Sequence, residues 1–188
     1  FALPAKKGRV RAPGYLHERL YRHVLNDVRR CASLETAYLR AAAQALVVLA
    51  YRFGLRGSEA LGLQVDDCHL DATPPWISVQ KNRLRDLKSP AARRTVPLLT
   101  RLRPVERKAI DRLLSGAMHA TAGVTGAPRY LFLDPRGAGE MLDRGLIKRT
   151  VNALIKEVTG QPHLSLHHLR HSFACKAWEG VENAGVLG

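Results

Sequence analysis

Leu39, Ala42, Ala43, Leu46, Val47, Leu49 and Ala50 make one helical segment apolar around most of its circumference, and such a helix has to be enclosed on several sides. A chain of 188 residues can build one domain around it. Ser33, with Thr36 behind it, is expected to cap this helix, and Gly54 to end it. Residues 15–31 precede it as an amphipathic helix carrying Leu16, Leu20, Val24, Leu25 and Val28. Residues 76–80 alternate as a strand does, and 94–98 form a second short strand, with a basic loop between them. An amphipathic helix is expected over 104–114, a loop over 115–128 and a short apolar strand over 130–133. A further helix is expected over 142–158, stopped by Gly160 and Pro162, and a last one from Leu166 with Ser165 as its cap. The fold class expected is α+β, mainly α, with a small antiparallel sheet.

Charge narrows the partner. The net charge is +14, and residues 81–112 hold eleven Lys/Arg against Asp86, Glu106 and Asp111. Nucleic acid is the expected partner, ahead of an anionic membrane surface. Aromatic residues make up only 6%, which favours phosphate contacts on a duplex over base stacking. The longest apolar run, 41–51, is interrupted by Gln44 and falls short of a membrane span. Cys31, Cys68 and Cys175 are widely spaced with no CxxC, as expected of reduced cytosolic thiols. Residues 1–14, with Lys6, Lys7, Arg9, Arg11, Pro4 and Pro13, read as a basic arm or linker. Since the first residue is Phe, the sequence is expected to be an excised or processed piece.

Two clusters could carry chemistry. Arg56 sits in a Gly-rich turn between a buried helix and the next helix start, where an anion is favoured by the guanidinium and by free N–H groups. Glu59 lies one turn along and could hold it. In 167–171, His167, Arg170 and His171 share a helix face by their i, i+3 and i+4 spacing. A fixed guanidinium beside an imidazole suits a phosphodiester. The competing readings are a plain surface arginine at Arg56, and for the histidines a zinc site or a polar helix face with no task.

The order of these pieces resembles the tyrosine recombinase (phage integrase) family. Residues 54–63, Gly-Leu-Arg-Gly-Ser-Glu-Ala-Leu-Gly-Leu, resemble its first arginine box. Residues 88–98 resemble its lysine hairpin, and 167–174, His-His-Leu-Arg-His-Ser-Phe-Ala, its second box. The resemblance spans about residues 34–177 and implies a catalytic domain that cleaves and rejoins DNA through a 3′-phosphotyrosyl link. It implies Arg56 and Arg170 as a clamp on the phosphate, His167 as hydrogen-bond or proton partner, and Lys88 as general acid, with Lys81 its rival. Glu59 and His171 are expected in supporting positions, and Lys81, Arg83, Arg85, Arg93 and Arg94 on DNA. No metal or other cofactor is implied; the implied partners are duplex DNA and further protomers in a synaptic assembly. The family's pattern departs at the end. The five tyrosines are Tyr15, Tyr21, Tyr38, Tyr51 and Tyr130, and none follows Arg170, where the family carries its nucleophile. An incomplete catalytic domain is therefore expected, the alternative being a tyrosine-less DNA-binding regulator on the same fold.

Overall fold

The computed structural model describes residues 15–85, 93–123, 125, 126, 128–134 and 140–185, with side chains as far as residue 178. The basic arm at 1–14 and Lys88 lie outside the described residues. The helices are α1 (Glu18–Arg30), α2 (Ala37–Arg52), α3 (Gly57–Leu61), α4 (Pro104–Ala120), α5 (Arg144–Thr159) and α6 (Leu166–Gly185). The strands are β1 (Cys68–His69), β2 (Trp76–Val79) and β3 (Arg94–Pro97). No described helix is long and apolar enough to cross a membrane.

The all-round apolar helix is the axis of the molecule. Every residue of α2 from 41 to 52 is buried, and α1, α4, α5 and α6 all pack against it. Its start is fixed by Thr36, whose Oγ1 accepts from the Leu39 amide at 3.0 Å. Ser33, expected as the cap, instead lies 3.0 Å from the Cys31 sulfur. The sheet is antiparallel in the order β1-β2-β3, with Ile77 paired to Cys68 on one side and Val96 on the other. Ile77 and Val79 point into the core and their neighbours do not, the period-2 pattern of a half-buried strand.

Three further expectations are corrected. Helix α4 runs to Ala120, into the stretch 115–128 expected as a loop. Gly116 is there for packing: a Cβ would come within 2.6 Å of the Tyr38 ring. Residues 130–133 form no ladder strand. They are buried, and only single bridges, Gln64 with Tyr130 and Leu133 with Met141, pair their ends. Arg85, expected on DNA, is 2% exposed. Its Nη2 donates to Asp67 Oδ2 at 3.0 Å, Nε to the Gln80 carbonyl at 2.6 Å and Nη1 to the Glu59 carbonyl at 3.3 Å. A guanidinium spent this way cannot reach a phosphate; it rivets the sheet to α3. Replacing Arg85 with Met should destabilise the fold by roughly 3–5 kcal/mol, because Asp67 is left buried without its cation. Thermal unfolding of the variant checks this.

A second buried ionic cluster joins four helices. Glu106 is fully buried and accepts from Tyr21 Oη at 2.9 Å, Arg52 Nη2 at 2.9 Å and Arg103 Nη2 at 2.9 Å. The other face of Arg52 holds Glu18 at 2.6 Å, and Lys176 on α6 reaches Glu18 at 2.8 Å. α6 is also pinned by Ser172, whose buried Oγ accepts from the Leu16 amide at 2.8 Å and donates to the His168 carbonyl. These contacts fix the angle at which α6 passes the end of α2, and that crossing makes the site.

Candidate active site

The turn after α2 starts with a glycine that nothing else can replace. Gly54 has φ +61°, and a Cβ there would sit 2.3 Å from the Phe173 ring on α6. The left-handed conformation and the missing side chain together let the turn lie directly on α6. Arg170 Nη1 then donates to the Gly54 carbonyl, so the arginine of one cluster hydrogen-bonds the turn that carries the other. Gly54→Ala should cost roughly 2–4 kcal/mol, combining backbone strain with a steric clash. Its Tm, compared with that of Gly126→Ala, a left-handed glycine with open space around it, isolates the steric part of the cost.

Two residues on, Arg56 is the N-cap of α3. Glu59, at the third helical position, accepts from the Arg56 amide at 2.8 Å and from Arg56 Nη1 at 3.0 Å. The same carboxylate takes both ends of Arg94 on β3, at 3.1 and 2.8 Å, and lies 3.7 Å from Arg170 Nη1. One carboxylate thus gathers three guanidinium groups from α3's cap, β3 and α6. Glu59 itself is shielded at 5% side-chain exposure, whereas Arg56 is 51% and Arg170 30% exposed. The negative charge is covered and positive charge is left facing solvent. Burial alone would raise the Glu59 carboxyl; the hydrogen bonds from Arg94 and from Arg56 outweigh it and bring it down to about 2. Glu59 is therefore ionised at neutral pH. Arg170 feels partial burial and then the like charge of Arg56, both lowering its pKa, with Glu59 acting in the other direction.

His167 lies on the same face of α6. Partial burial, then His171, Arg170 and Arg56, push its pKa below the ordinary imidazole value, which favours the neutral ring. Its Nε2 is 3.0 Å from Nε2 of His171, one helical turn away. Among the described residues no group of three or more His, Cys, Asp and Glu stands within metal-binding reach. His168 faces elsewhere: its Nδ1 accepts from the Ser165 amide at 3.1 Å and closes the start of α6. Asn152 Oδ1 on α5 accepts from the Leu166 amide at 2.8 Å and holds that end.

The structure therefore brings together Arg56, Glu59, Arg94, His167, Arg170 and His171. Arg94, expected only on DNA, is missing from the sequence-based picture of the centre. Its partner Glu59 is 35 residues away, and no local spacing signals the pair. Lys81, Arg83 and Arg93 are exposed around the base of the hairpin. A carboxylate-braced set of guanidinium groups with a neutral imidazole beside it can bind a tetrahedral anion and stabilise charge on its oxygens.

This helical fold, with its small sheet and arginine-lined centre, is the catalytic-domain fold of tyrosine recombinases. The crystal structure of XerA recombinase matches 91% of this chain and 51% of its own, at TM-score 0.59 and 20% identity. XerH site-specific recombinase bound to its difH substrate in a pre-cleavage complex matches 89% of this chain and 44% of its own, at TM-score 0.62 and 20% identity. The model of the phage integrase family matches residues 18–182, and the chain belongs to that family. Among curated relatives, the tyrosine recombinase XerC of Pelobacter propionicus is 33% identical over 137 residues, which is 73% of this chain and 39% of the relative. XerC of a Mycobacterium species (strain KMS) is 30% identical over 148 residues, 76% of this chain and 42% of the relative. The chain spans about two fifths of the length of these relatives.

Proposed function

We propose that this chain is the catalytic domain of a site-specific DNA recombinase that cleaves and rejoins duplex DNA through a 3′-phosphotyrosyl intermediate. The observation that carries the reading is the gathering of Arg56 and Arg170 on Glu59 beside His167. Attack on a phosphodiester builds charge on the non-bridging oxygens. Arg56 and Arg170 are both part-exposed, and each has donors left to bind those oxygens. His167, unprotonated, accepts a hydrogen bond or the nucleophile's proton. Lys88 protonates the departing 5′-oxygen, with Lys81 as its rival. Glu59 and Arg94 position the clamp, and His171 supports His167. Lys81, Arg83 and Arg93 contact backbone phosphates.

Tyr21, Tyr51 and Tyr130 are buried in the core, and Tyr38 packs on Gly116. The proposed nucleophile is a tyrosine that follows the second box in the intact gene product. The reaction runs in the cytoplasm on duplex sites, within a synaptic assembly of several protomers.

A nicked duplex tests this, because loss of the short 5′ fragment traps the covalent protein–DNA adduct. The intact gene product should form that adduct. Lys88→Ala should abolish it on ordinary DNA and regain it on a 5′-bridging phosphorothiolate, whose thiolate leaves without a proton. Tight duplex binding with no adduct on either substrate would favour the tyrosine-less regulator. Duplex affinity should also fall steeply with salt, since each neutralised phosphate releases counterions at a slope of about −0.9 per contact. A titration from low to moderate salt measures the slope.

A further inference from the structure

A second cationic centre lies away from these groups. Between the end of α1, the first half of α2 and the middle of α4 is a pocket of about 250 Å³. Its rim is Arg29, Arg40, Lys108 and Arg112, and its floor is small and apolar, chiefly Ala37, Ala41, Val105 and Ala109. No acidic residue lines it. α2 rises about 1.5 Å per residue, which puts the pocket on the order of 20 Å along the helix axis from Arg56. A phosphate held at Arg56 and Arg170 does not extend to it.

The rim plays no part in the buried networks. There each arginine has a carboxylate: Arg52 has Glu18 and Glu106, Arg85 has Asp67, and Arg94 has Glu59, whereas Arg29, Lys108 and Arg112 face solvent. Even the part-exposed Arg107, one residue from Lys108, is paired with Asp71 and Asp111 at 2.8 and 2.7 Å. Among the described residues, Arg29, Lys108 and Arg112 form no ion pair within 4.0 Å. Arg40 Nη1 donates to the Leu34 carbonyl at 2.6 Å and the Glu35 carbonyl at 3.4 Å, and among the described residues no carboxylate pairs with it. Four like charges around one dent repel one another, and a counter-charge from outside relieves that.

The shape and floor select among anions. The pocket is concave, and its base is three alanines and a valine beside Gln44, whose amide is engaged on the Leu25 carbonyl at 3.2 Å, so it accepts an apolar side chain and offers a bare phosphate little. It contains no aromatic ring on which a base could stack. We infer that this face docks a partner-protein segment in which one large apolar side chain is flanked by carboxylates. The apolar group fills the dent between α2 and α4, and the carboxylates take the rim with forked contacts from Arg29, Arg40 and Arg112. Nothing in this depends on the chemistry proposed at Arg56 and Arg170, and the test separates the two.

The probe is a short fluorescent peptide with leucines flanked by glutamates at helical spacing. It should bind, shifting backbone amide resonances of residues 37–44 and 105–112. The Lys108→Glu, Arg112→Glu double variant should weaken it by about tenfold or more. Arg29→Glu, on a different helix, should weaken it in the same direction. Both variants should keep the wild-type circular dichroism and bind duplex DNA within about twofold of wild type. Three results would each overturn the inference: no peptide binding, equal binding of an all-glutamate peptide of the same length, or displacement of the peptide by a short DNA duplex.

Discussion

Replacing Arg170 with alanine in the intact gene product is expected to slow covalent-adduct formation on a nicked duplex by about 10²–10³-fold, the effect of removing one donor aimed at a developing oxyanion. Its fixed place is what makes it matter. Arg170 is anchored by the Gly54 carbonyl behind it and by Glu59 at its side, so no reorganisation is needed when charge builds on the phosphate. Arg170→Lys should recover little, because an ammonium cannot hold the carbonyl and the phosphate in the same forked geometry. The stability cost should be small, about 1 kcal/mol, since the side chain is part-exposed and one hydrogen bond is lost. A large fall in rate with a small fall in Tm separates catalysis from folding. Equal adduct yields from wild type and Arg170→Ala would remove Arg170 from the chemistry.

Glu59→Ala should cost roughly 3–5 kcal/mol of stability, because the loss of one shielded carboxylate leaves Arg56, Arg94 and Arg170 facing one another. Acid should mimic the substitution. The Glu59 carboxyl is depressed to about 2, so the stability it contributes is present above its ordinary pKa near 4.5 and is lost as pH falls from there toward 2. Glu18 is likewise lowered to about 2 by Lys176 and Arg52 against the opposing effect of burial, so it loses stability over the same window. Wild type should therefore lose stability more steeply than Glu59→Gln between pH 4.5 and 2. Thermal melts across that range measure the difference, and parallel curves would show that Glu59 carries no net favourable charge.

Much of this was legible in the sequence because it is local. The all-round apolar pattern of 39–50 specified the enclosed axis, and the i, i+3, i+4 spacing of His167, Arg170 and His171 specified their shared face. The first arginine box was readable as a turn because a glycine precedes Arg56 and a glutamate follows it at capping distance. What escaped the sequence depends on long-range partners. Arg85 and Arg94 are nine residues apart on one basic hairpin and look equivalent, yet one is buried on Asp67 and the other braces Glu59. Only the closed sheet distinguishes them. The cluster of Arg52, Glu106 and Glu18 was invisible for the same reason, and so was Gly116, a helix breaker by propensity that tertiary packing against Tyr38 retains within α4.

The central claim is that two guanidinium groups from distant parts of the chain act on one phosphate. A double-mutant cycle of Arg56→Ala and Arg170→Ala, read as adduct-formation rates of the intact gene product, tests it most directly. Groups that share one anion should be coupled by more than about 1 kcal/mol, with the double variant much less impaired than the product of the single losses. Losses that multiply to within about 0.5 kcal/mol would show two independent sites and contradict the account.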